Sequence, residues 1–196
     1  MAGQVPGADT TRRVGVLVAP GCATVRRVTA AVEVSYLWHE SPVAEHLEVA
    51  KVHGFLICPD TGRALVQECD GSFNLPGGSP EPADADLSAA LAREALEESQ
   101  VVVSRTAYLG YQEVRSPGQA PYAQVRMAGL IAGFRPRCPD ADSGRLLRRL
   151  MCPLADVPAV LGWGEIMVAQ AALATHTAQL VWRIPLGTPQ PAGYVD

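Results

Sequence analysis

The hydrophobic and polar positions in the first half of the chain predict β-strands joined by turns. Residues 14–18 form a short apolar run, and residues 28–38 are rich in the β-branched and aromatic side chains that are typical of strands. Two further apolar runs, 52–58 and 64–69, flank the Pro-Asp-Thr-Gly segment 59–62. Because this composition favours a tight turn, the three segments together predict a β-hairpin.

The second half of the chain alternates between helical and strand-like periods. Residues 86–100 have a helical period, and the Ala-rich residues 165–180 lack helix breakers, so both segments are predicted to be helices. Between them, strands are predicted at residues 101–103, 107–114, 122–134 and 145–154. An order of strands, helix, strands and helix is typical of an α/β fold with a mixed sheet between helices.

Composition changes at both ends of the chain predict three regions. Residues 1–45 carry no recognisable motif and are predicted to be an N-terminal extension whose strands pack on the main domain. This extension supplies extra strands, a dimer contact or a lid, so a homodimer is an open alternative to a monomer. Residues 46–184 form the main domain, and the tail 185–196 is rich in Pro and Gly.

The overall composition narrows the class of protein. With 196 residues, 48% hydrophobic and 18% charged, the chain is long enough for one domain with a sizeable core, and wholesale disorder is excluded. The net charge of -4 argues against a protein that coats long nucleic acids. Five cysteines without a C-x-x-C pair argue against a disulfide framework or a zinc ribbon and favour the cytoplasm.

Membrane and export segments are also not predicted. No apolar run approaches the length of a transmembrane helix. Arg12-Arg13 precede an apolar run and weakly resemble a twin-arginine export signal. Because that run stops at Pro20-Gly21, a plain strand is the preferred interpretation.

The predicted helix 86–100 carries an acidic stripe. On a helical wheel, Glu94 and Glu98 continue the apolar face of Leu87 and Leu91, and Glu97 lies about 60° to the side. Two like charges four residues apart destabilise a helix by about 0.2–0.5 kcal/mol, and a helix C-terminus disfavours anions. A divalent cation would relieve this repulsion, and carboxylate oxygens suit Mg²⁺ or Mn²⁺. The alternative is a solvated helix end whose acids point to water.

The loop before this helix strengthens the metal interpretation. Gly77-Gly78 follow a predicted strand and permit a backbone path that comes close to a ligand, although a tight turn is the alternative. Together, loop and helix resemble the box of the Nudix hydrolase family, G-x5-E-x7-R-E-U-x-E-E-x-G-U, where U is a bulky apolar residue. The matching segment is Gly78-x5-Asp84-x8-Arg93-Glu94-Ala95-Leu96-Glu97-Glu98-Ser99-Gln100-Val101. The resemblance implies a Nudix-like α/β/α sandwich with a mixed β-sheet between helices.

Three departures from the box lead to expectations about local structure. The first acid is Asp84 instead of Glu, and one extra residue separates it from Arg93. In the family this acid mainly supports the loop, so Asp84 or Asp86 is expected to do so here. Gln100 replaces the Gly that best adopts a positive φ after a helix, so the helix exit is expected to be rebuilt.

The resemblance implies Mg²⁺-dependent hydrolysis of a pyrophosphate bond in a nucleoside diphosphate linked to another moiety. Glu94, Glu97 and Glu98, with the Gly78 carbonyl, would hold the metal, and Arg93 would hold Glu97 or a loop acid in position. The partner is then a small nucleotide, with no membrane and no long nucleic acid. An alternative from another class is a Nudix-fold nucleotide-binding or regulatory module with little or no turnover.

Residues outside the box supply weaker candidates. Glu165 is a candidate general base, although an acid in the first turn of a helix also favours the helix dipole. Trp163 is a candidate to stack on a base, although a packed aromatic side chain is the alternative. Arg145, Arg148 and Arg149 are candidates to steer a polyphosphate, with a solvated strand face as the alternative and Arg149 as the preferred contact.

Overall fold

A mixed β-sheet runs through the protein. The computed structural model describes residues 16–19, 22–29, 32–140, 143–186 and 190–196. The strands described are β1 (Val16–Ala19), β2 (Cys22–Thr29), β3 (Val32–His39), β4 (Glu48–Ile57), β5 (Arg63–Cys69), β6 (Ser72–Asn74), β7 (Gly77–Gly78), β8 (Val101–Arg115), β9 (Tyr122–Phe134), β10 (Arg148–Pro153) and β11 (Gly193–Val195). The helices described are α1 (Leu87–Ser99), α2 (Val157–Leu161) and α3 (Ile166–His176), the last continued by a π-helical turn at Thr177–Val181.

The strand order places β9 at the centre of the sheet, with β4 beside it. The order is β1-β2-β3-β8-β9-β4-β5-β10-β11, with β6 pairing with β5 and β7 pairing with β4. Strands β4 and β9 run parallel, and the other pairs formed by the described strands are antiparallel. The sheet is therefore mixed, and the short strand β7 lies beside β4.

Two cores form because alternate side chains of the central strands point to opposite faces. Leu56 and Leu65 pack with Leu91 of α1 on one face. Phe55 and Ile57 pack with α2 and α3 on the other. Full burial of each such side chain contributes about 1.5–3 kcal/mol. This arrangement confirms the predicted α/β/α sandwich.

Helix α1 comes very close to β4. A methyl group on Gly54 would lie 2.7 Å from Cδ2 of Leu91, so a larger residue in β4 would push the helix away. The helix begins at Asp86, whose side chain accepts a hydrogen bond of 2.8 Å from the Ala89 N–H. The helix predicted at 86–100 is thus confirmed, and its N-terminus is fixed to the loop that precedes it.

Two strand predictions differ from the structure. The segment predicted as one strand, 28–38, is divided between β2 and β3, while residues 14–15 lie outside the described residues. The segments 101–103 and 107–114 belong to one strand, β8. Register shifts at Val102/Val103, Val103/Arg105 and Tyr108/Gly110 break the two-residue alternation of β8, which explains why the pattern splits it.

Described strands of the predicted extension and of the tail join the same sheet as the central strands. Strand β3 pairs with β8, and β11, inside the Pro/Gly-rich tail, pairs with β10. The division of the chain into extension, domain and tail stays a prediction. Within the described residues, no helix is both long and apolar enough to cross a membrane.

Candidate active site

The diglycine strand β7 lies between β4 and the acidic turns of α1. Gly77 pairs with His53, and Gly78 pairs with Val52. A methyl group on Gly77 would overlap the Val52 carbonyl oxygen, and Gly77 has a φ of 141°, which favours glycine. A methyl group on Gly78 would overlap the Glu94 carboxylate. Glycine at position 77 therefore lets β7 approach β4, and glycine at position 78 lets Glu94 lie against the backbone.

Glu98 is largely buried beside this strand. Its Oε2 accepts hydrogen bonds from Gln67 Nε2 at 2.7 Å and from the Gly77 N–H at 3.0 Å. Burial raises the pKa of Glu98 to about 7, the negative charge of Glu94 adds to the rise, and the two hydrogen bonds oppose it. The two hydrogen bonds thus fix the position of the carboxylate, but they do not fully offset the cost of burying its negative charge.

Glu94 is the second inward-facing acid. Its side chain is 13% exposed, and its Oε1 lies 3.2 Å from Arg93 Nη1. Burial raises the pKa of Glu94, and the Arg93 charge lowers it in part. Glu94 and Glu98 are therefore two partly buried acids, and the charge of Glu94 favours the uncharged form of Glu98.

Arg93 ties the loop to the helix. Its Nε and Nη2 donate to the two carboxylate oxygens of Asp84, both at 3.1 Å, and Nη2 also donates to the Ser79 carbonyl at 2.9 Å. The hydrogen bond from Arg93 lowers the pKa of Asp84. Such a two-pronged pair fixes both position and orientation. Asp84 therefore performs the loop-supporting role that the resemblance implied, despite the extra residue before Arg93.

Glu97 is the most exposed of the three acids. Its side chain is 42% exposed, and its Oε2 accepts a hydrogen bond of 2.9 Å from Arg93 Nη1, the atom that also lies 3.2 Å from Glu94 Oε1. Glu97 is therefore a neighbour of Glu94 at the solvent edge, while Glu94 and Glu98 lie against the diglycine strand. Over the described ranges, no three His, Cys, Asp or Glu side chains converge as a ready-made metal cage.

The donors at this site nevertheless fit a hard divalent cation. Glu94 and Glu98 offer carboxylate oxygens beside the Gly78 backbone, which are the ligand type that Mg²⁺ and Mn²⁺ prefer. Burial raises the pKa of both acids, so the charged pair is destabilised without a cation. A cation between them would offset this destabilisation.

The helix exit differs from the expectation. Gln100 itself adopts the left-handed conformation, with φ 51° and ψ 39°, so the exit is not rebuilt. The side chain offsets the strain, because its Nε2 donates to the Glu97 carbonyl at 2.9 Å and its Oε1 accepts from the Cys138 N–H at 3.2 Å. These two hydrogen bonds stabilise the left-handed conformation at the helix exit. The Gly of the box adopts that conformation without such bonds, because it has no side chain.

The structure does not bring Glu165 and Arg149 to the acidic pair. Glu165 is an exposed residue at the start of α3 and makes no side-chain capping bond. Arg149 is fully buried, and its Nη1 donates to the carbonyls of Arg135 at 3.0 Å and Ser99 at 3.4 Å. Arg149 as a polyphosphate contact stays a prediction, because its Nη1 donates to backbone carbonyls whereas its buried Nη2 has no hydrogen-bond partner among the described residues.

Arg148 and Arg145, the neighbouring arginines, also have protein partners. Arg148 donates to Glu68 Oε2 at 2.9 Å and lies over the ring of Tyr194, with its Cζ 3.6 Å from the ring centroid. Arg145 Nη1 lies 3.8 Å from Asp70 Oδ2. Both side chains are more than half exposed, and their role in steering a polyphosphate stays a prediction.

A cavity of about 270 Å³ lies on the α3 side of the sheet. The residues that line it include Tyr36, His53, Asn74, Gln112, Arg126 and Trp163. Trp163, predicted as a base-stacking residue, therefore lies at a cavity, with the Cζ of Arg126 5.7 Å from its ring centroid. Sequence reasoning missed the polar wall, although a lone Arg126 inside the apolar strand 122–134 was a usable signal.

The cavity and the acidic pair share one ladder of hydrogen bonds. His53 lines the cavity and pairs with Gly77, whose N–H binds Glu98. Burial lowers the pKa of His53 well below its ordinary value, and the Arg126 charge adds to this effect. The ring is therefore neutral at physiological pH and accepts a hydrogen bond of 3.3 Å from Arg126.

Comparison with known proteins places these features in a family. The family model of the NUDIX domain matches residues 49–149, just over half of the chain. No curated protein sequence matches. Among solved structures, the chain is similar to a pyrophosphohydrolase of Bacillus subtilis, BsRppH, with 22% identity and a TM-score of 0.43 over 53% of this chain and 64% of that one. This chain thus spans slightly less than two thirds of that protein.

A second solved structure has a similar extent of likeness. It is a NUDIX hydrolase from Nitrosomonas europaea, with 18% identity and a TM-score of 0.47 over 66% of this chain and 89% of that one. The matched range 49–149 contains the diglycine strand, the whole of α1 and its acids. The chain belongs to the Nudix hydrolase family.

Proposed function

We propose that this protein hydrolyses a pyrophosphate bond in a nucleoside diphosphate linked to another moiety, in a reaction that depends on Mg²⁺ or Mn²⁺. The observation that carries the proposal is the pair of half-buried acids, Glu94 and Glu98, against the diglycine strand. The family of the chain supports the reaction class. A small nucleotide as substrate and a cytoplasmic location are parts of the same proposal.

Each residue of the box has a distinct part in the proposal. Glu94 and Glu98, with the Gly78 carbonyl and Glu97, would hold the metal. The metal, when bound, neutralises phosphate oxygens and lowers the pKa of the attacking water. Arg93 and Asp84 keep the loop against the helix, so that Gly78 stays in register with Glu94.

The chain's own groups also orient the acids before a substrate arrives. The Gly77 N–H and Gln67 fix one oxygen of Glu98, which leaves its other oxygen for a ligand. Arg93 keeps Glu97 at the solvent edge. Because these contacts exist without a substrate, little reorganisation is needed when one binds.

The binding-module alternative depends on the altered box spacing and on Gln100. Arg93 still reaches Asp84, and Gln100 keeps the left-handed helix exit. Neither departure separates Glu94 from Glu98, so the structure gives no specific reason to prefer a module without turnover.

The direct test is turnover on a panel of dinucleotides and nucleotide sugars with Mg²⁺. Turnover is measured as the release of nucleoside monophosphate. We expect turnover in the wild type and its loss in Glu98→Gln. The matched control is Glu45→Gln, an exposed acid outside the site, which should keep wild-type turnover. Nucleotide binding without product across the whole panel would contradict the proposal and favour the module.

A further inference from the structure

A buried cation without a carboxylate partner lines the cavity. Arg126, in the middle of β9, is 2% exposed, and no carboxylate pairs with it among the described residues. Burial lowers its pKa to about 10, so the guanidinium is still charged at neutral pH. Burying a charge without a counter-ion is costly, so this arrangement needs a reason.

The polar groups around Arg126 are oriented with their acceptor atoms towards its guanidinium. A guanidinium only donates hydrogen bonds, so its neighbours present acceptor atoms to it. Its amide partners are the Oε1 atoms of Gln170 at 3.2 Å, Gln124 at 3.4 Å and Gln112. His53 accepts at Nδ1, which places the proton of the neutral ring on Nε2. The amide NH₂ groups and the His53 Nε2–H therefore remain as donors.

The cavity wall thus combines a positive charge with hydrogen-bond donors. His53, Gln112 and Gln124 line the cavity together with Arg126, and the rings of Tyr36 and Trp163 complete it. Such a wall favours a group that only accepts hydrogen bonds and carries a negative charge. A volume of about 270 Å³ lies just below the range of typical small-molecule pockets, so it suits one part of a substrate.

The position of the cavity connects it to the acidic pair. His53 in the cavity wall pairs through its backbone with Gly77, and the Gly77 N–H binds Glu98. Asn74, which ends β6 shortly before this strand, also lines the cavity. The cavity and the acidic pair therefore both contact the paired strands β4 and β7, and this shared contact is what links the cavity to the substrate site.

We propose that the Arg126 cavity binds an anionic group, a phosphate or a carboxylate, that the substrate carries in addition to the pyrophosphate bond. This inference rests on the proposed function for its link to the substrate. The bound anion supplies the negative counter-charge for Arg126, which no carboxylate of the described residues provides. The protein therefore selects substrates whose linked moiety carries an extra negative charge.

The test is binding measured by calorimetry without a divalent metal, with two matched ligand pairs. NADP⁺ and NAD⁺ differ by one phosphate, and UDP-glucuronate and UDP-glucose differ by one carboxylate. We expect the anionic member of at least one pair to bind about tenfold more tightly or better, and the pair concerned identifies phosphate or carboxylate. Equal affinities within both pairs, or no binding of any of the four at millimolar concentration, would overturn the inference.

Two variants separate anion binding from a structural role of Arg126. Gln112→Glu places a carboxylate beside the guanidinium, so it should raise the melting temperature and reduce the affinity ratio to about one. Arg126→Gln should also remove the preference. The control Arg105→Gln removes an exposed cation of β8 and should keep it. A preference that survives both cavity variants would overturn the inference.

Failure of the inference and failure of the proposed function are distinguishable. Binding is measured without metal, whereas turnover is measured with Mg²⁺ on the same protein. A tenfold preference for the anionic ligand without turnover would support the anion site and contradict the hydrolase proposal. Turnover without this preference would support the hydrolase proposal and contradict the anion site.

Discussion

The two faces of the sheet carry buried charges of opposite sign, and they are built in different ways. On the α1 face, the acidic pair Glu94 and Glu98 comes from one helix, one turn apart. On the α3 face, Arg126 and its amide partners come from β8, β9 and α3, distant in sequence. The acidic pair could therefore be predicted from the spacing of its residues in the sequence. The Arg126 cavity could not, because it forms only when distant strands pair. Local clusters can be predicted from sequence, and sites built by topology cannot.

The largest expected effect tests which acids form the functional pair. Glu94→Gln should lower kcat/KM on the order of 100-fold or more, because a group that holds the metal is lost. Glu97→Gln should lower it only about tenfold, since Glu97 lies at the solvent edge. Steady-state kinetics at saturating Mg²⁺ measures both, and equal losses would erase the distinction between inward and outward acids.

The second effect concerns pH and the metal-free protein. Burial raises the pKa of Glu98 to about 7 in the folded state, above the unfolded value. Between these two values the folded state binds more protons at Glu98, so the contribution of Glu98 to stability falls as pH rises from about 4.5 to 7. This contribution should be about 3 kcal/mol and should be absent in Glu98→Gln. Urea unfolding of both proteins across this range, without metal, measures it as the difference between their pH profiles, because the lowered pKa of His53 gives an opposite slope in both. Identical pH profiles of the wild type and Glu98→Gln would contradict the burial of Glu98.

The third effect tests the close approach of backbone and acid. Gly78→Ala inserts a methyl group where the Glu94 carboxylate lies, so it should cost about 1–3 kcal/mol and displace Glu94. Gly133→Ala is the matched control, because nothing lies near its added methyl group. Chemical denaturation compares the two variants. A Gly78→Ala protein with wild-type stability and turnover would show that Glu94 does not need the diglycine strand.

The smallest effect concerns the loop. Asp84→Asn weakens the two-pronged contact with Arg93 and should raise the apparent Mg²⁺ Kd about tenfold, because the loop no longer fixes Gly78. Turnover as a function of Mg²⁺ concentration gives this value. Asp60→Asn, in an exposed hairpin turn, serves as the control. An unchanged Kd in Asp84→Asn would show that the extra residue before Arg93 has decoupled loop and metal.

Much of the acidic site could be predicted because its determinants are local. The helical period at 86–100 and the spacing of Arg93, Glu94 and Glu98 follow from a 3.6-residue repeat. The outward position of Glu97 agrees with its 60° offset on the wheel, and its role as a metal ligand stays a prediction.

The remaining features depend on contacts that a linear pattern does not contain. The bulges of β8 hid a single long strand, and the three residues of β11 are too few to form a pattern. Arg149 and Arg126 are both arginines in apolar strands, yet one binds backbone carbonyls and the other lines a cavity. Only the pairing of distant strands decides between these outcomes.

The most direct test of the central claim is thermal unfolding at pH 7.5 with increasing Mg²⁺. If the acidic pair binds the cation in the folded state, the wild-type Tm rises steadily, with about 2.7 kcal/mol of added stability at a concentration of 100 times Kd. The double variant Glu94→Gln/Glu98→Gln should show no such rise, and Glu45→Gln should match the wild type. A wild-type Tm that stays constant up to millimolar Mg²⁺ would contradict the account.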